Sequence, residues 1–93
     1  MTNQETFGIA AFRSRQQVMR FDAALRRAGI PSDVISTPRD VAVGCGLSVQ
    51  FDLRDAQAVM NLYRQTPTAN LIGFYRVTRV PGGRPVIERM QSP

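Results

Sequence analysis

An α+β sandwich is the fold class this chain predicts, and three observations predict it. Two stretches repeat their apolar residues at spacings of three and four behind a residue suited to cap a helix. Leu47 to Asp52 alternates apolar and polar with a period of two, which is strand spacing. The other apolar runs are short, and Pro or Gly ends several of them.

The elements follow in order. Thr6 to Phe12, TFGIAAF, is a short apolar run with aromatic ends, suited to a strand buried on both faces. Ser14 offers an N-cap and Gln17 stands three residues on, as a capping box requires. Val18, Phe21, Leu25 and Ala28 then form one helical stripe, Gly29 supplies a left-handed C-cap and Pro31 blocks continuation. Asp33 to Thr37 reads as a second strand around Val34 and Ile35, ended by Pro38. Leu47 to Asp52 is the third. Asp52 or Asp55 can cap the next helix, whose apolar stripe is Ala56, Val59, Met60 and Tyr63 and whose stop is Thr66-Pro67. Leu71 to Val80 is β-rich and reads as a final strand, broken by Pro81-Gly82-Gly83.

Strand, helix, strand, strand, helix, strand is the βαββαβ order of the ferredoxin-like sandwich. Right-handed crossovers place both helices on one face of a four-stranded antiparallel sheet. At 93 residues and 43% hydrophobic content the chain builds one core, so residues 1–80 are expected to be a single domain and 81–93 a mobile Pro/Gly-rich basic tail. The connection from Pro38 to Gly46 is longer than a hairpin needs, and loops of that length in small domains tend to carry function.

Composition removes most catalytic chemistry. With no His and one Cys, the usual zinc and iron–sulfur ligand sets cannot be assembled within one chain, so no metal is expected. Neither a Ser-His-Asp nor a Cys-His arrangement can be built. All 12 basic residues are Arg, which excludes a Schiff-base lysine and a Walker-type phosphate loop. The acidic residues are scattered. A lone cysteine forms no internal disulfide, the apolar runs are too short to span a membrane, and MTNQETF lacks signal-peptide order, so the expectation is a cytoplasmic protein.

What remains is Cys45 in STPRDVAVGCG. Free cysteine is commonly a buried small hydrophobe. Here Gly44 and Gly46 carry no side chains to cover the sulfur, and they permit backbone conformations in which N–H groups converge on an anion. Arg39 can reach back across the loop. Converging amides and a guanidinium both favour thiolate over thiol, the form that attacks electrophilic sulfur.

Three segments, FRSRQQVMRFDAALRRAGI, VISTPRD and GCGLSVQF, with Gly73-Phe74-Tyr75 beyond them, resemble the small bacterial family of selenium/sulfur carrier-like proteins. The most specific element is the spacing from Thr37-Pro38-Arg39 to Cys45-Gly46-Leu47-Ser48. The chain departs from the family pattern at Arg13-Ser14-Arg15 and Val41-Ala42-Val43, where members often carry a histidine, further polar residues or serines. The resemblance implies a carrier in which Cys45 holds a sulfane sulfur or selenium atom as a persulfide or selenopersulfide, with no other cofactor. The expected partners are a cysteine desulfurase or other sulfur or selenium donor, and an acceptor enzyme. A net charge of +5 could steer such a carrier toward acidic partners.

Two other classes compete. An RNA-recognition module shares the element order, but its third strand should be rich in aromatics, and GLSVQFDL offers only Phe51, on the same face as Leu47 and Val49. A non-catalytic interaction or regulatory domain would pair sheets into a homodimer through Phe7, Phe74 or Tyr75, unless these rings belong to the core.

Overall fold

The computed structural model describes residues 5–39, 41 and 46–90. Strand β1 (Glu5–Phe12) leads to helix α1 (Arg15–Arg27), then to strands β2 (Ser32–Ser36) and β3 (Leu47–Phe51). A 3₁₀ turn (Leu53–Asp55), helix α2 (Ala56–Gln65) and strands β4 (Leu71–Arg79) and β5 (Val86–Arg89) complete the order. The strands form one antiparallel sheet in the order β2-β3-β1-β4-β5.

Local chemistry sets the ends of α1. The Ser14 hydroxyl accepts a hydrogen bond from the Gln17 backbone N–H at 3.3 Å, relieving one of the unpaired donors of the first turn. At the other end Gly29 takes φ 80°, Ile30 N–H donates to the Leu25 carbonyl at 2.9 Å and Gly29 N–H to that of Arg26 at 3.0 Å. That is a Schellman motif, completed by Ile30 packing on the cluster that holds Leu25. Of the two acids offered for the second helix, Asp52 caps, through Arg54 N–H at 3.0 Å. Its bond opens the 3₁₀ turn that runs into α2, while Asp55 makes no side-chain cap.

Both helices lie on one face of the sheet. Ala10, Phe12, Val49, Phe51 and Phe74 from the strands join Val18, Phe21 and Leu25 of α1 and Val59 of α2 in one buried cluster. Because side chains alternate along a strand, the intervening residues build a second cluster on the opposite face, made of Phe7, Ile9 and Val77 with Ile35, Val41, Tyr75 and Ile87 against it. Every residue from Phe7 to Phe12 is buried, as a strand covered on both sides requires.

Among the described residues the sheet has five strands, which corrects the expectation of four. The added strand falls in the Pro/Gly-rich segment read as a tail. Pro81-Gly82 does not simply end β4; it reverses the chain. Gly83 N–H donates to the Val80 carbonyl at 3.1 Å, and Gly82 at the third turn position takes φ 73°, the geometry of a type II turn with Pro at its second position. Val86-Ile87-Glu88-Arg89 then pairs with Tyr75 to Thr78. Among the described residues, no helix is long and apolar enough to cross a membrane.

Candidate functional site at the hairpin joining the second and third strands

The ladder between β2 and β3 pairs Ser36 with Leu47 and continues one step further, because Thr37 N–H donates to the Gly46 carbonyl at 3.0 Å. The long connection is therefore pinched shut at Thr37 and Gly46. Below this closure the Thr37 and Ser48 hydroxyls are hydrogen-bonded at 2.7 Å, with the two residues 8% and 0% exposed. Their position follows from alternation, since Ile35 pairs with Ser48 and both point away from the helices, as does Thr37 two residues on.

Gly46 is fitted to this closure. A Cβ at that position would stand 3.3 Å from Thr37 Oγ1, closer than ordinary van der Waals contact, so a side chain there would press on the buried hydroxyl pair. The glycine therefore serves the close approach of two chain segments, a role distinct from the anion nest expected of it.

Beyond the closure, Val41 N–H donates to the Pro38 carbonyl at 3.0 Å, a turn that starts the loop. The half-buried Val41 side chain packs against the cluster of Phe7, Ile9 and Val77, so the loop is tied back to the helix-free face of the sheet. Arg39, between them, is exposed and makes no ion pair with another described residue. Thr37, Pro38 and Gly46 are thus brought together at the mouth of the hairpin. Cys45 and Gly44, the expected carrier thiol and one of its flanking glycines, lie outside the described residues.

Sequence reasoning missed Ser48 and Val41. Ser48 occupies a polar position of the alternating strand and so reads as solvent-facing, yet it is fully buried and pairs with Thr37. The signal that could have found it is the threonine just after β2, since a hydroxyl buried at the mouth of a hairpin needs a partner. Val41 sits inside a loop, where a lone apolar residue carries no periodicity.

The packing also bears on the competing classes. Phe51 is buried among the residues that meet the helices, so β3 presents no aromatic ring for base stacking. Phe7 and Phe74 are 5% and 0% exposed, Phe74 under the helices and Phe7 on the other face, so both rings are consumed by the cores.

Neither a curated protein nor a solved structure gives a match to the chain. A family model does, over residues 7–72, which run from the first buried residue of β1 to the start of β4 and include Thr37, Cys45, Gly46 and Ser48. On that match the chain belongs to the family described as "Putative Se/S carrier protein-like".

Proposed function

We propose that this protein carries a sulfane sulfur or selenium atom on Cys45 and delivers it to a partner enzyme. The observation that carries the reading is the family match, which spans the chain's only cysteine. Composition supports it, because a carrier needs a nucleophilic thiol and a docking surface but no internal base, lysine or metal. The hairpin supports it as well, since the residues on either side of the loop are held by backbone pairing and a buried hydroxyl pair, giving the loop a rigid base.

The transfer balances without an external oxidant. The Cys45 thiolate attacks the outer sulfur of a donor persulfide, the donor's S–S bond breaks, and the donor leaves as thiolate while Cys45 becomes the persulfide. The transferred sulfur keeps its oxidation state. In delivery, an acceptor nucleophile attacks the same outer atom and Cys45 departs as thiolate, taking up a proton from solvent. Selenium follows the same course as a selenopersulfide. A guanidinium near the thiol would favour the thiolate, the role we assign to Arg39, which is exposed at the start of the loop, and a reducing cytoplasm would keep the thiol free. The frame that presents it is, on this reading, a ferredoxin-like βαββαβ unit extended by β5 at its edge.

Incubation with a cysteine desulfurase and cysteine tests the reading by intact mass. The expected product is protein heavier by one sulfur atom, with the adduct absent from Cys45→Ser and reduced in rate by Arg39→Gln. An unmodified protein beside an actively turning-over desulfurase, and equally beside a selenium donor, would overturn it.

A further inference from the structure

A cleft of about 560 Å³ runs along α1, opposite Tyr63 of α2 and the Thr66 to Thr68 turn that follows it. Its lining falls into two chemical parts. Phe12, Phe21 and Tyr63 supply an apolar floor, and Arg20 and Arg27 stand exposed beside it. No acidic residue lines the cleft, and neither arginine forms an ion pair with a described residue. The contrast with Arg26 on the same helix is informative, because Arg26 points elsewhere and is held by Asp22 and Asp33.

From these features we propose that the cleft docks an extended acidic segment of a protein partner, its carboxylates meeting Arg20 and Arg27 and an aliphatic side chain between them resting on the floor. Helical spacing sets the match. Residues seven apart return to the same face after two turns, and at 1.5 Å rise per residue the two arginines are about 10 Å apart along the axis. On an extended chain residues i, i+2 and i+4 share a face. Carboxylates four apart, about 13 Å at about 3.3 Å per residue, straddle an aliphatic side chain midway, and the long arginine side chains take up the difference of about 3 Å. Gln17, Ala24 and the two arginines share this stripe, and Ala24 leaves room for the ligand's backbone. Phe12 and Phe21 are almost fully buried in the floor, so its reachable apolar surface is that of half-buried Ala23, Ala24 and Tyr63, enough for one aliphatic side chain but with a single ring too little for stacking successive bases. Phe12 also ties the cleft to the candidate site, because it pairs with Leu47, the residue after Gly46, at the same end of the sheet as the hairpin. Naming the partner as the sulfur donor or acceptor rests on the carrier reading; the docking itself does not.

The test uses the whole protein and a fluorescein-labelled peptide with glutamates four apart and a leucine midway between them, read by anisotropy. Arg20→Glu with Arg27→Glu should weaken binding tenfold or more, and Ala24→Leu, which fills the cleft without changing charge, should also weaken it. Arg54→Glu, an exposed reversal in the 3₁₀ turn, should leave binding within about twofold, since distant surface charges are screened in ordinary salt. Absence of binding by the wild type, or equal losses in Arg54→Glu and the cleft variants, would overturn the proposal. So would displacement of the peptide by a uridine oligonucleotide at lower concentration, which would assign the cleft to nucleic acid. Cys45→Ser should bind the peptide as the wild type does, so a failed sulfur-transfer assay alongside normal peptide binding would remove the carrier reading and leave this one standing.

Discussion

Thr37 Oγ1 and Ser48 Oγ lie 2.7 Å apart beneath the mouth of the β2-β3 hairpin, Thr37 just after β2 and Ser48 the second residue of β3. Each is the other's only described side-chain partner, and both residues are buried. The pair joins the two chain segments at the point where the loop bearing Cys45 departs.

Removing one hydroxyl strands the other in a buried site. Thr37→Val or Ser48→Ala should each lower stability by about 1–3 kcal/mol, the cost of an unsatisfied buried polar group. Thr37→Val with Ser48→Ala together should cost less than the sum, because a matched apolar pair leaves nothing unpaired. Urea unfolding of the four proteins checks this as a double-mutant cycle. Strict additivity would mean that the hydroxyls are solvated and the closure rests on the backbone alone.

Gly8 faces Phe51 across the β1-β3 pair, and a Cβ at Gly8 would overlap the Phe51 ring at its Cε2 and Cζ atoms. The ring is 2% exposed and packed into the helix-facing cluster, so it yields only by disturbing its neighbours. Gly8→Ala should therefore destabilise by about 1–3 kcal/mol, as overpacking does. Adding Phe51→Leu should recover part of that loss, whereas Phe51→Leu alone destabilises. A Gly8→Ala protein as stable as the wild type in urea would contradict the packing.

How far these features are legible in the sequence depends on the range of the interaction. The ends of α1 are legible because Ser14, Gln17, Gly29 and Ile30 act within one turn of the helix. The helix-facing cluster is legible because Val18, Phe21 and Leu25 and, on β3, Val49 and Phe51 keep the period of their elements. Strand β5 is hidden because Pro81-Gly82 has two meanings, a break or a type II turn, and only the presence of β4's free edge decides between them. The chemistry expected of Gly44, Cys45 and Gly46 comes from residue type alone, and Gly44 and Cys45 lie outside the described residues. The closure of the hairpin by Thr37 is not legible, since its contacts with Gly46 and Ser48 cross the whole loop and spacing does not encode them.

The attachment of β5 should depend on its apolar contact more than on its ion pair. Ile87 pairs with Val77 and rests on the Phe7, Ile9 and Val77 cluster, whereas Arg76 and Glu88 meet at 2.8 Å with both side chains about half exposed. Ile87→Ala should cost about 1–2 kcal/mol, at or below the lower end for such truncations because the residue is only half-buried. Glu88→Gln should cost less than about 1 kcal/mol, and less again in high salt. Thermal unfolding at low and high salt separates the two; a larger loss from Glu88→Gln would show that charge holds the edge strand.

Tyr63 closes the turn after α2 with a single hydroxyl that works in both directions. Its O–H donates to the Thr68 carbonyl at 2.7 Å, and its oxygen accepts from the Thr68 N–H at 3.1 Å. Thr68 in turn holds Asn70 through its side chain at 3.2 Å, and the Asn70 carbonyl accepts from Arg13 N–H at 2.7 Å, linking the turn to the junction of β1 and α1. The ring itself sits edge-on to Phe21 and Phe74, with centroids 6.2 and 5.6 Å away. Tyr63→Phe keeps those ring contacts and removes both hydrogen bonds, so it should cost about 1 kcal/mol and release the wall of the α1 cleft. Tyr63→Ala should cost substantially more, because the aromatic cluster loses a member. Hydrogen exchange distinguishes the two effects: in Tyr63→Phe the Thr68 amide should exchange faster while the Leu25 amide in α1 changes only with global stability. Unchanged protection at Thr68 would mean that the turn is held by Thr68 and Asn70 without the tyrosine.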